Sequence, residues 1–95
     1  MTPSQRQLER VRAAATELLD PVTGRTISIC RVPAPTGAES ERAAYVSSLL
    51  TELGYAPETD EVGNVYARRG NRGGKVVMLA AHTDTVFPAP TDVSV

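Results

Sequence analysis

Cysteine and histidine are the scarcest chemistry in this sequence, with one residue of each. With Cys30 alone there is no internal disulfide framework and no cysteine-rich zinc site. With His82 alone, no site that needs two histidines can form within one chain, and a Ser-His-Asp triad would have only this base. Lysine is nearly absent as well: nine of the ten cations are arginine and Lys75 is the exception. The net charge of -1 excludes a generally basic nucleic-acid binder and a polybasic membrane binder. No apolar run approaches the roughly 18 residues of a transmembrane helix. The opening MTPSQRQLER lacks the apolar stretch of a secretory signal. A cytoplasmic protein with no membrane or nucleic-acid partner is the expectation.

What is present fits one domain at most, in 95 residues of which 41% are hydrophobic. Leu8, Val11, Ala15, Leu18 and Leu19 recur at helical spacing, with Arg6, Glu9, Arg10, Arg12 and Glu17 between them. Pro21 should stop this helix or start the next piece. From Thr23 to Arg31 the pattern is ambiguous: Ile27 and Ile29 alternate like a strand, but the stretch is short and contains Gly24, so a short second helix directly after the first is preferred. Pro33-Ala34-Pro35 must be extended. Thr36-Gly37-Ala38-Glu39 fits a capping box, opening a helix with Ala43, Val46, Leu49, Leu50 and Leu53 on its apolar face. Gly54 is placed to end it. The period then changes. Strands are expected at about 55–60 and 64–69, with Gly63-Asn64 turning between them. Val76 to Ala81 are six consecutive apolar residues, so 75–81 reads as a strand buried on both faces. Helices at about 4–31 and 37–53 followed by these strands give an α/β layered unit over residues 1–95.

His82-Thr83-Asp84-Thr85 follows that strand directly, where ligands bind in open α/β sheets. The spacing has a chemical use. A neutral imidazole binds zinc through one nitrogen while a carboxylate holds the N–H of the other. Asp84, two residues on in an extended segment, lies on the same side as His82. A plain surface polar pair has the same spacing, so spacing alone leaves both meanings open. Cys30 as a nucleophile with His82 as base has nothing to bring the two together, and buried cysteine is usually inert. The Gly70–Gly74 loop with Arg68, Arg69, Arg72 and Lys75 could attract phosphate. It is not a G-x-x-x-x-G-K-[ST] loop, and a solvated hairpin loop explains it more simply.

Three segments in order, ICRVPAPTGAESERAAYVSSLLTELGY, DEVGNVYARR and VVMLAAHTDTVFP, resemble the start of one metallohydrolase family. It is the di-zinc family of aminoacylase, acetylornithine deacetylase, succinyl-diaminopimelate desuccinylase, glutamate carboxypeptidase and tripeptide aminopeptidase (peptidase T). The resemblance implies the N-terminal part of a three-layer catalytic domain, helices packed on a mixed sheet. It implies hydrolysis of peptide or N-acyl amino-acid amide bonds with two zinc ions, cobalt or manganese being substitutes. By the same resemblance His82 is a zinc ligand, and Asp84 is the catalytic residue that supports it. The family's bridging Asp, general-base Glu, last His and smaller second domain have no counterpart in this sequence. The isolated chain is therefore expected to be inactive, with an incomplete zinc site. Two other expectations stand beside this one. The chain could be a short non-enzymatic protein that binds a partner, or oligomerises, through an exposed sheet. It could also be a piece completed by a second polypeptide.

Overall fold

The computed structural model describes residues 4–70 and 73–94. It is a small α/β unit with helix α1 at Gln5–Cys30, helix α2 at Ser40–Glu52, strand β1 at Glu58–Thr59 and strand β2 at Val65–Tyr66. The strands are antiparallel, with Glu58 opposite Tyr66 and Thr59 opposite Val65. One further parallel bridge joins Pro35 to Thr85.

Helix α1 begins with a reciprocal capping box that the sequence signature Ser4-x-x-Gln7 contains. The Gln7 amide donates to Ser4 Oγ at 3.2 Å and the Ser4 amide to Gln7 Oε1 at 2.7 Å. Contrary to expectation, Pro21 neither ends α1 nor divides it. Proline removes one i→i−4 hydrogen bond, at a cost of about 3 kcal/mol. The turns beyond it gain side-chain bonds: the hydroxyls of Thr23, Thr26 and Ser28 donate to the carbonyls of Leu19, Val22 and Gly24 at 2.8–3.0 Å. Helix α2 also begins differently from expectation. Its N-cap is Glu39, without a side-chain cap bond. Glu39 Oε1 accepts from the Gly37 amide at 2.7 Å, and the Thr36 hydroxyl is used elsewhere. At the other end the Gly54 amide donates to the Thr51 carbonyl and the Tyr55 amide to the Leu50 carbonyl. This Schellman closure needs the left-handed backbone of Gly54, at φ 92°.

The β1–β2 turn is organised by Asp60. One carboxylate oxygen accepts from the Val62 and Asn64 amides at 3.1 and 2.9 Å. The other accepts from the Asn64 side chain at 2.9 Å and the Tyr66 hydroxyl at 3.1 Å. The Asn64 side chain and amide, with Tyr66 and Val62 adding less, hold the Asp60 carboxyl below its ordinary value of 3.8. Its contribution is complete above the unfolded value and is lost as the pH falls through the lower folded value. We therefore expect Asn64 amide protection to persist at pH 4.5 and to collapse in stronger acid. In Asp60→Ala, protection at this amide should be low and independent of pH. Hydrogen exchange read by NMR distinguishes these outcomes.

The largest departure from expectation is residues 75–81, which form no strand. Val76, Val77, Met78 and Leu79 are 78–94% exposed. A strand buried on both faces needs neighbouring strands and covering layers, and β1 and β2 are two residues each. The expected helices packed on a mixed sheet are thus reduced to two helices beside a two-stranded hairpin. Surface area gives the same result. The chain exposes 8461 Å², whereas a compact protein of 10.1 kDa exposes about 5,300 Å². Among the described residues only Ala34 and Ala43 are buried apolar residues. Of the loop at 70–74, Asn71 and Arg72 lie outside the described residues.

Candidate functional site

The two buried alanines mark the best-packed place in the chain. Ala34 lies in the extended segment between α1 and α2, and Ala43 in the first turn of α2. The His82–Thr85 segment is held against this place by three consecutive residues. The Thr83 carbonyl accepts from Arg42 Nη1 at 3.0 Å. Asp84 Oδ2 accepts from the Thr36 hydroxyl at 2.7 Å. The Thr85 amide donates to the Ala34 carbonyl at 2.8 Å. The extended backbone imposed by Pro33 and Pro35 leaves the Ala34 carbonyl free for this bond.

His82 and Asp84 are brought together. His82 Nδ1 lies 2.9 Å from the Asp84 carbonyl and 3.1 Å from Asp84 Oδ1. A carbonyl and an ionised carboxylate can only accept, so Nδ1 carries the proton and donates to both. The lone pair of the neutral ring is then on Nε2. The His82 side chain is 84% exposed and that of Asp84 is 32% exposed. The Thr36 hydroxyl holds the Asp84 carboxyl below the usual carboxylate range, with smaller help from the His82 ring. The arrangement is a three-membered relay: Thr36 to Asp84, Asp84 to His82, and an open Nε2 at its end.

Arg42 ties this relay to both helices. Its Nε donates to the Val32 carbonyl at 2.9 Å and its Nη2 to the Cys30 carbonyl, the last of α1, at 3.4 Å. The Cys30 thiol is exposed and free. The polar contacts of His82 run to Asp84 and none joins it to that thiol, so the geometry lends no support to a Cys–His pair. Neither Thr36 nor Arg42 stands out as a site residue in the sequence. Thr36 looks like a helix cap, and a side chain that bonds only main-chain carbonyls leaves no motif.

Over 62 residues, 61% of its length, the chain is 37% identical to the cytosol non-specific dipeptidase of Escherichia coli (strain K12). Over 68 residues, 63% of its length, it is 38% identical to the succinyl-diaminopimelate desuccinylase of Methylobacterium sp. (strain 4-46). The chain carries a segment of the peptidase and amidohydrolase family. The matched stretch amounts to 13% of the dipeptidase and 17% of the desuccinylase. No family model and no solved structure matches the chain. The relatives of this family segment are hydrolases by name, and the shared chemistry they suggest can be tested against the donors present. A zinc ion fits the exposed Nε2 of His82, whose other nitrogen is held by a carboxylate. Among the described residues no group of three or more His, Cys, Asp or Glu is placed to hold a metal. His82 offers one donor, fewer than three are gathered among the described residues, and a closed coordination shell normally takes three or four.

Proposed function

We propose that this segment supplies the His-x-Asp part of the metal site in a hydrolase that cleaves peptide or N-acyl amino-acid amide bonds. The observation that carries the proposal is the His82–Asp84 pair itself, with Nδ1 held by the carboxylate and Nε2 open to solvent. When bound, a pair of zinc ions would supply an activated water and polarise the scissile carbonyl. His82 would contribute one ligand through Nε2, with cobalt or manganese able to take the place of zinc. Asp84 keeps the proton on Nδ1 and raises the basicity of Nε2. Thr36 favours the ionised form of Asp84 and holds its carboxylate in place beside the ring. The catalytic domain this segment would belong to is the three-layer α/β unit that the family resemblance implies. With fewer than three donors gathered among the described residues, the 95-residue chain alone is expected to be inactive. The exposed apolar residues 76–79 favour a second reading, in which a separate polypeptide covers them and completes the site.

The test is a zinc titration of the 95-residue chain followed by ¹⁵N NMR of the imidazole, alongside assays with a dipeptide and an N-succinyl amino acid. Zinc is expected to shift Nε2 of His82, to bind weakly, and to leave both substrates uncleaved. His82→Ala should abolish that site. Zinc binding that bypasses His82, or that occupies Nδ1, refutes the proposal.

A further inference from the structure

We infer that Arg42 is a positioning residue for the metal-binding histidine, an inference that rests on the role of His82 just proposed. Three nitrogens of one guanidinium donate to three carbonyls from three places: Cys30 at the end of α1, Val32 in the segment beyond it, and Thr83 between His82 and Asp84. Arginine alone has a rigid planar fork that can do this. Its stem starts at the third residue of α2, beside the buried Ala43, so the fork is anchored on the best-packed element available.

The consequence for His82 follows from the order of residues. Thr83 is the only residue between the imidazole and its carboxylate partner. If the Thr83 carbonyl is fixed, the backbone turn that brings the Asp84 carbonyl and carboxylate onto Nδ1 is fixed as well. The strand that would otherwise aim His82 is absent, because residues 75–81 make no ladder. The remaining restraints are the Thr36 hydroxyl on Asp84 and the Thr85 amide on Ala34. Both reach into the 32–36 segment whose Val32 carbonyl Arg42 also holds. Arg42 therefore restrains both sides of the contact.

The experiment uses the metal-free 95-residue chain at a pH of about 8.5, above the ordinary imidazole range. Arg42→Met and Arg42→Lys are compared with the parent chain by circular dichroism, by ¹⁵N shifts of the His82 ring and by hydrogen exchange at the Thr85 amide. The parent should show the Nδ1–H form and a protected Thr85 amide. Arg42→Met should show a mixture of the two neutral ring forms and roughly tenfold faster exchange at Thr85, about 1.4 kcal/mol of lost protection, with unchanged helical signal. Arg42→Lys, with one compact ammonium for three acceptors, should fall between. An unchanged ring form and an unchanged Thr85 amide in Arg42→Met overturn the inference. Should Arg42→Met lose helix, Arg42→Lys decides: a shifted ring equilibrium with intact helices supports positioning, and a parent-like ring overturns it. The zinc titration of His82→Ala is read separately. If zinc ignores His82 while Arg42 still controls its ring form, the hydrolase role fails and this positioning does not.

Discussion

Asp84→Ala is expected to lower the affinity of His82 for zinc by about 10- to 100-fold, the usual loss when the partner of a metal-bound histidine is removed. In a site with one donor, that loss takes binding below what a titration can follow. The readout is therefore the zinc-induced shift of Nε2 at the zinc concentration that half-saturates the parent chain, where Asp84→Ala should show almost none. The ring form should change less than the affinity. Nδ1 is also held by the Asp84 carbonyl at 2.9 Å, slightly closer than the carboxylate oxygen at 3.1 Å. What the substitution removes is the negative charge that makes Nε2 a better donor, together with the link to Thr36. Asp84→Asn keeps an acceptor and loses the charge, so it should lie between the two. Thr36→Val leaves the carboxylate in place and should cost less than Asp84→Ala. Zinc binding in Asp84→Ala equal to that of the parent would show that the carboxylate has no part in the site.

The contrast between these residues shows what a sequence exposes and what it conceals. His82 and Asp84 are legible because two side chains with complementary chemistry stand two residues apart in an extended segment. Gly54 and Gly63 are legible because only backbone freedom explains a glycine at those places, and both have φ of 92°. The Thr36–Glu39 pattern misleads. Its hydroxyl has a stronger acceptor 48 residues away in the ionised Asp84, and a charge-assisted bond outcompetes a helix cap. Pro21 misleads for the opposite reason: a proline removes one backbone bond, and a helix of 26 residues continues past that single loss. Arg42 is concealed altogether. Its partners are main-chain carbonyls, and every residue type offers one. The apolar run at 76–81 is legible as a tendency to be buried. Burial also requires a partner, which a local pattern does not specify.

Leu79→Glu and Val77→Glu are expected to leave the thermal unfolding of the 95-residue chain within about 0.5 kcal/mol of the parent. The same changes in a strand buried on both faces would cost upwards of about 3 kcal/mol each, through lost apolar burial and an unpaired buried charge. Exposure decides between these outcomes: Val77 is 84% and Leu79 is 94% exposed, so neither side chain has burial to lose. Self-association should fall at the same time, because an exposed apolar segment with unpaired backbone groups invites pairing between chains. Calorimetry and sedimentation read the two effects separately. The His82 ring should also be unaffected, although Leu79 lies only three residues before it. The ring is aimed by the bonds from Arg42 to Thr83, from Thr36 to Asp84 and from Thr85 to Ala34, not by the apolar run that leads into it. A ring form that changes in Leu79→Glu would mean that the run is packed in solution and helps to set the site. In that case Arg42 would share the positioning of His82 with a strand.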